Sequence, residues 1–191
     1  FDWLLTHEFG HEWWANKVTN KDWAHMWIQE GICSFGDALY VRELAGEEAY
    51  LARMRNTLRN IQNVKPVVQG DVADSDEAYH GDIYGKGAFF MHTLRFVLGD
   101  SVFFPILKKL ATDTRYTYHN FVTTDDVEQL FTKDSGTNVK PLFDFYLRTT
   151  NKLEFHVQQK SDSTFEVKLI NYEGILPVEI RTSEGTSRYV L

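Results

Sequence analysis

The spacing of apolar residues changes once along this chain, near residue 152, and no other feature constrains its fold as much. Upstream, apolar side chains recur at helical intervals. Ile83, Phe90, Leu94 and Val97 fall seven, four and three positions apart, which lines one face of a helix. Downstream they alternate with polar residues: Leu153, Phe155 and Val157, then Phe165, Val167 and Leu169, then Val178 and Ile180. A period of two with β-branched residues means strands. The expected fold is therefore mainly α, with a helical domain over residues 1–152 and the first strands of a β domain over 153–191. So few strands leave open sheet edges unless more chain follows. The chain also opens at Phe1 without a methionine, inside what reads as a helix. Both ends are thus expected to be cut from a longer protein, with its N- and C-terminal domains missing here.

Punctuation residues divide the helical part. A first helix is expected from Asp2 to about Ala15, followed by a polar stretch over Asn16–Asp22. A second should run from Trp27 to about Leu44, and Gly46 should separate it from a third over roughly Glu47–Asn63, with Pro66 beyond its end. Gly70–His80 is acidic and poor in large apolar residues, hence a loop with room for function. Helices follow over Asp82–Leu98 and Asp100–Ala111. Thr124, with Asp125 and Asp126, reads as the cap and acidic first turn of a helix through Phe131, and Pro141 suits the first turn of another through Leu147.

Composition narrows the function. Hydrophobic residues are 43% and aromatics 15% of 191, enough for a sizeable core. A formal net charge of -7 argues against a nucleic-acid partner, which favours basic patches. The single cysteine, Cys33, excludes an intrachain disulfide and leaves the compartment open. No run of about eighteen apolar residues offers a transmembrane segment.

The chemistry lies in "THEFGHEWWANK", Thr6 to Lys17. On a helix, positions i and i+4 share a face, so His7 and His11 can aim two imidazoles at one point. A zinc ion at about 2.0–2.1 Å from each nitrogen fits that geometry. Glu8, one residue round, can reach water held there without ligating the metal: two ligands and a general base on one helix. The plain alternative is a pair of surface histidines. A catalytic zinc takes three protein ligands, however, and "WIQEG" supplies Glu30 after an eighteen-residue interval, positions 12–29. That length lets the first helix end, the chain reverse and a second helix return beside the first. His25 competes for the same role but precedes the second helix. The longer pattern H-E-x-x-H-x-x-G-x-x-H fails, because Trp14 and Lys17 stand where its glycine and last histidine belong.

"HEFGH", the eighteen-residue interval and "WIQEG" together resemble the gluzincin zinc aminopeptidases, the aminopeptidase N family. "IYGKGAFFM", Ile83 to Met91, is similar to that family's Y-x-K-G-A segment, and "VVQG" and "LFDFYLRTTNKLEF" are similar less specifically. The likeness covers residues 1 to about 155 well and the strands beyond loosely. It implies a thermolysin-like helical catalytic subdomain followed by the start of a β-sandwich. It also implies one Zn2+ per chain on His7, His11 and Glu30, with Glu8 as general base. Tyr84 is implied as the tyrosine that stabilises the transition state, and peptides as the substrates, cut at the N-terminus. A phenol beside a metal suits that role, since it can donate to a developing oxyanion.

One family segment, G-x-M-E-N, whose glutamate grips the substrate's free amine, has no counterpart in this sequence. The chain alone is therefore expected to show little aminopeptidase activity. Two alternatives stay open: a thermolysin-like zinc endopeptidase, and an inactive metal-stabilised module that binds peptide. Of the remaining residues, Trp13, Trp14, Trp23 and Trp27 read as packing around the zinc helices, Cys33 as a small buried hydrophobe and Lys86 as a surface or ion-pair lysine. Gly85 and Gly87 suit close approach of their helix to another, or to substrate. Glu12 reads as solvent-facing or as support behind the ligands. His80 and Asp82 read as cleft lining or as ordinary loop polarity.

Overall fold

A computed structural model of the chain describes residues 2–183 and 185–191. Phe1, where the sequence reading has the chain open inside a helix, lies outside them. The described residues form a mainly α fold in two compact units, one through Thr150 and one from Asn151.

In the first unit, α1 (Trp3–Gly10) starts where the Asp2 carboxylate accepts from the Leu5 amide at 3.2 Å, a side-chain cap for an otherwise unpaired donor. It is shorter than expected. His11 still has helical angles, but the chain then loosens into turns through Lys17. A two-residue strand, β1 (Thr19–Asn20), and a 3-10 turn, Trp23–His25, lead into the long α2 (Trp27–Asn60). Its two expected halves are continuous in the chain but break at Gly46, whose φ of 86° a side chain would make costly. The supposed loop over 70–80 contains a short helix, α3 (Ser75–Ala78). Then come α4 (Gly81–Leu98), α5 (Asp100–Thr112), β2 (Phe121–Val122), α6 (Thr124–Ser135) and α7 (Lys140–Leu147). The cap of α6 is Thr123, one residue earlier than expected, in a reciprocal capping box with Asp126.

Helices α2 and α4 share the most extensive contact of the first unit. They meet through glycine: a Cβ on Gly31 would lie 2.9 Å from Gly87 Cα and 2.9 Å from the Ile83 carbonyl oxygen. Gly87 thus fulfils the expected close approach. Gly85 does not, since a Cβ there would meet only ordinary contacts. Around this seam the core is aromatic. Trp27, fully buried, packs edge-to-face on Phe90 and Phe143, and Phe35 does so on Tyr50 and Phe103. Of the tryptophans expected to pack round the site, only Trp27 is core; Trp13 and Trp23 are largely exposed.

Distant chain braces the segment between α1 and α2. Strand β1 pairs in parallel with β2, Thr19 opposite Phe121 and Asn20 opposite Val122. The Tyr118 amide donates to the Lys17 carbonyl at 2.8 Å, the Lys21 amide to that of Val122 at 2.9 Å, and the Trp27 indole N–H to Thr124 Oγ1 at 2.9 Å. Lys86 corrects another expectation. It is buried, its ammonium donating to Asn63 Oδ1 at 2.6 Å and to the Thr149 carbonyl at 2.7 Å, and burial lowers its pKa to about 8.

The second unit consists of two antiparallel hairpins, β3 (Phe155–Gln159) with β4 (Phe165–Leu169), and β5 (Pro177–Thr182) with β6 (Gly185–Val190). The alternation that marked them as strands does not bring burial here: Phe155, Val157 and Phe165 remain exposed.

Candidate metal centre

Helix α1 carries His7, His11 follows as the helical-angled residue that caps it on the same face, and the first turn of α2 returns Glu30 to them. Among the described residues, one atom from each of these three lies within 4.8 Å of one atom from each of the others. Both histidines turn Nε2 to the same carboxylate oxygen: Glu30 Oε2 is 3.2 Å from His7 Nε2 and 3.4 Å from His11 Nε2. The rings stand edge to face, centroids 4.9 Å apart.

The other ring nitrogens are engaged elsewhere. His7 Nδ1 lies 3.0 Å from Asp37 Oδ2, and His11 Nδ1 donates to the Trp14 carbonyl at 3.1 Å. A carboxylate and a backbone carbonyl are acceptors only, so each Nδ1 carries a proton; each Nε2 donates a second proton toward Glu30 and can offer a lone pair once that proton leaves. This is how metal-ligating histidines are oriented elsewhere. Asp37 was not singled out from sequence, although it sits seven residues after Glu30, two turns along the same face of α2.

Electrostatics reflect a cluster in which protons supply the positive charge. Asp37, then Glu30, raise the pKa of His7 to about 9 against the opposing effect of burial. Hydrogen bonds to Cys33, Glu30 and the Trp14 carbonyl push His11 to about 10. The Cys33 thiol, 3.4 Å from His11 Nδ1, is itself pushed up by burial, so the formal charge facing His11 belongs to Glu30. Burial would raise Glu30, but hydrogen bonds from His11, His7 and Tyr79 outweigh it and hold the carboxyl well below its usual range. A divalent cation fits this donor set. It would replace the two Nε2 protons and leave both Nδ1 bonds intact.

Glu8 is exposed, one residue round from His7, and its charge reaches the Tyr84 hydroxyl. Tyr84 comes from α4, its ring 6.0 Å from that of His7. Tyr79, in the supposed loop, was missed: its hydroxyl donates to Glu30 Oε1, and its ring sits 5.9 Å from Trp23 and 6.2 Å from Tyr84. Nothing in its local spacing marks it, because only the fold brings residue 79 to residue 30. The competing ligand, His25, is not in the cluster. Its Nδ1 accepts from Thr124, 3.0 Å from Oγ1, in a buried setting that lowers its pKa. Asp82 does not line the site either: its two oxygens accept from the Gln62 and Asn63 amides at 2.9 and 2.6 Å, closing the turn after α2. Glu12 is exposed and accepts from Asn16.

Two histidines, one glutamate and a neighbouring exposed carboxylate are the residue types that hydrolytic zinc centres use. The sequence matches the Peptidase family M1 domain over residues 2–146, and the chain belongs to that family. Aminopeptidase N of Lactococcus lactis is 26% identical over 159 residues, covering 75% of this chain and 18% of that protein. Puromycin-sensitive aminopeptidase of Caenorhabditis elegans is 27% identical over 168 residues, 83% of this chain and 17% of that one. The chain therefore spans less than a fifth of the length of these relatives. Among solved structures, Legionella pneumophila aminopeptidase A in complex with aspartic acid superposes with a TM-score of 0.80 at 20% identity, over 99% of this chain and 23% of that one. An M1 zinc metallopeptidase from Deinococcus radiodurans gives 0.69 at 20% identity, over 80% and 34%. No helix among the described residues is long and apolar enough to cross a membrane.

Proposed function

We propose that this chain is the zinc-holding part of an aminopeptidase that removes N-terminal residues from peptides. The observation that carries the reading is the convergence of two Nε2 atoms on one oxygen of Glu30, with both Nδ1 positions already engaged. His7, His11 and Glu30 would hold one zinc ion. When bound there, zinc acidifies water toward a pKa of about 7 and polarises a carbonyl. Glu8 takes the proton from the attacking water and delivers it to the leaving amine. Its exposure supports this, since a base must meet water and substrate. Tyr84 donates its hydroxyl proton in a hydrogen bond to the oxyanion that develops on the scissile carbonyl. Its protonated state is secured by burial, which raises its pKa. The relatives are named aminopeptidases, which favours cleavage at the N-terminus over the endopeptidase alternative.

The test is to separate ligand from base in the full-length protein. Purified protein should hold close to one zinc, and His11→Ala should lose it. Glu8→Gln should keep the zinc and lose about 10²–10⁴-fold in turnover, the usual contribution of a general base. Metal analysis finding no zinc, or an active Glu8→Gln enzyme, refutes the assignment.

A further inference from the structure

The two oxygens of Glu30 have different neighbours. Oε2 faces the Nε2 atoms of His7 and His11 at 3.2 and 3.4 Å, and Oε1 accepts from the Tyr79 hydroxyl. A carboxylate with nothing on its second oxygen can swing about its last bond and present either oxygen, or both. A donor held on Oε1 removes that freedom. Tyr79 is well placed to be such a donor and poorly placed to be core. Tyr79 is 45% exposed, and its ring is edge-on to Trp23 and Tyr84.

We infer that Tyr79 is a positioning residue that fixes Glu30 as a one-oxygen metal ligand and keeps a fourth position open for substrate. This rests on the zinc reading above. Its physical content is a coordination number. With Oε1 held, Glu30 gives one oxygen, and the two histidines complete the three protein ligands of an open catalytic site. With Oε1 released, the carboxylate can turn both oxygens to the metal and occupy the place where a carbonyl would bind. Tyr79 does this through Glu30, without touching the reacting atoms, and is therefore distinct in role from Tyr84.

The experiment uses this chain with zinc and with cobalt as probes. Zinc affinity is measured by competition with a chromophoric chelator in the wild type, Tyr79→Phe and Trp23→Phe, with far-UV circular dichroism and metal-free melting as controls. Tyr79→Phe removes one oxygen from a half-exposed ring, so the fold is retained. It should weaken zinc binding about 10–100-fold, the usual cost of losing a partner behind a ligand. Its cobalt form should show a weaker visible d–d absorption, as expected when the coordination number rises. Trp23→Phe, which alters the ring beside Tyr79 and leaves the hydroxyl, should match the wild type in both. Tyr79→Phe indistinguishable from the wild type overturns the positioning role and leaves the zinc reading standing. An equal loss in Trp23→Phe also overturns it, by assigning the effect to ring packing. A wild-type chain that binds neither metal overturns the zinc reading itself, and this inference with it.

Discussion

Gly31 offers a direct test of how the site is built, because it is next to Glu30 and at the tightest point between α2 and α4. A Cβ there would lie 2.9 Å from Gly87 Cα, 2.9 Å from the Ile83 carbonyl oxygen and 3.1 Å from Gly87 C, all backbone atoms with no rotamer to change. Ordinary contact begins at 3.4 Å, so the helices must part by at least 3.4 − 2.9 = 0.5 Å. Forcing a methyl into a packed seam costs about 1–3 kcal/mol. Alanine returns up to about 1 kcal/mol through helix propensity. With backbone on both sides the upper part of the cost applies, and Gly31→Ala should lose about 1–2 kcal/mol. For a chain of this size that lowers Tm by roughly 2–8 °C. Gly36, five residues along the same helix, has nothing within 4 Å of its would-be Cβ. Gly36→Ala should therefore gain up to about 1 kcal/mol and raise Tm by roughly 2–4 °C. Thermal melts of the two variants beside the wild type decide the matter. If Gly31→Ala raises Tm as Gly36→Ala does, the close-approach argument is wrong.

Two further outcomes are expected. Tyr84→Phe, in the full-length enzyme, should lower kcat by about 10²–10³ with KM nearly level, because an oxyanion donor acts only in the transition state; steady-state kinetics showing a raised KM and normal kcat would make Tyr84 a binding residue instead. Burial, then the Arg95 charge, lower the pKa of His92 from 6.5 to about 4, and its neutral Nδ1 accepts from the Tyr50 hydroxyl at 2.6 Å. As pH falls the unfolded chain takes this proton first, so the stability held by neutral His92 is complete above pH 6.5 and lost on the way to pH 4. The difference of 2.5 pH units is worth at most about 3 kcal/mol. Urea melts across that window should show His92→Gln with a flatter dependence, and an unchanged slope would remove His92 from the acid transition.

The parts of the site that were legible in the sequence are those fixed by local geometry. His7 and His11 meet because a helix places i and i+4 together, and Glu30 joins them because eighteen residues suffice for a reversal. Apolar periodicity likewise placed α4, and the short helix expected after it matches α5, each to within a residue at each end. What escaped depended on tertiary contacts. Tyr79 reaches Glu30 only because α4 packs on α2, and its acidic, apolar-poor surroundings read as loop. Lys86 looked like a surface residue because lysine usually is one; here two oxygens from distant chain satisfy it in the interior. Asp82 looked like cleft polarity, yet it closes a turn twenty residues away through two backbone amides. The first helix ended early because the chain after His11 is drawn off to pair with residues past 117, a demand that no window around residue 11 contains.

That last pairing sets an order of events. The connection between the histidines and Glu30 is held by Phe121, Val122 and Thr124, close to a hundred residues further on. Contacts so far apart in sequence close slowly and late, since the intervening chain must first be collected. During synthesis His7, His11 and Glu30 leave the ribosome long before the residues that brace them. On the zinc reading proposed above, a metal ion meeting the growing chain would find its donors on an unsupported hairpin of helices, able to exchange freely. Only when the first turn of α6 has emerged can this connection become rigid, so on that same reading the capture of a metal and the commitment to keep it would be separate in time.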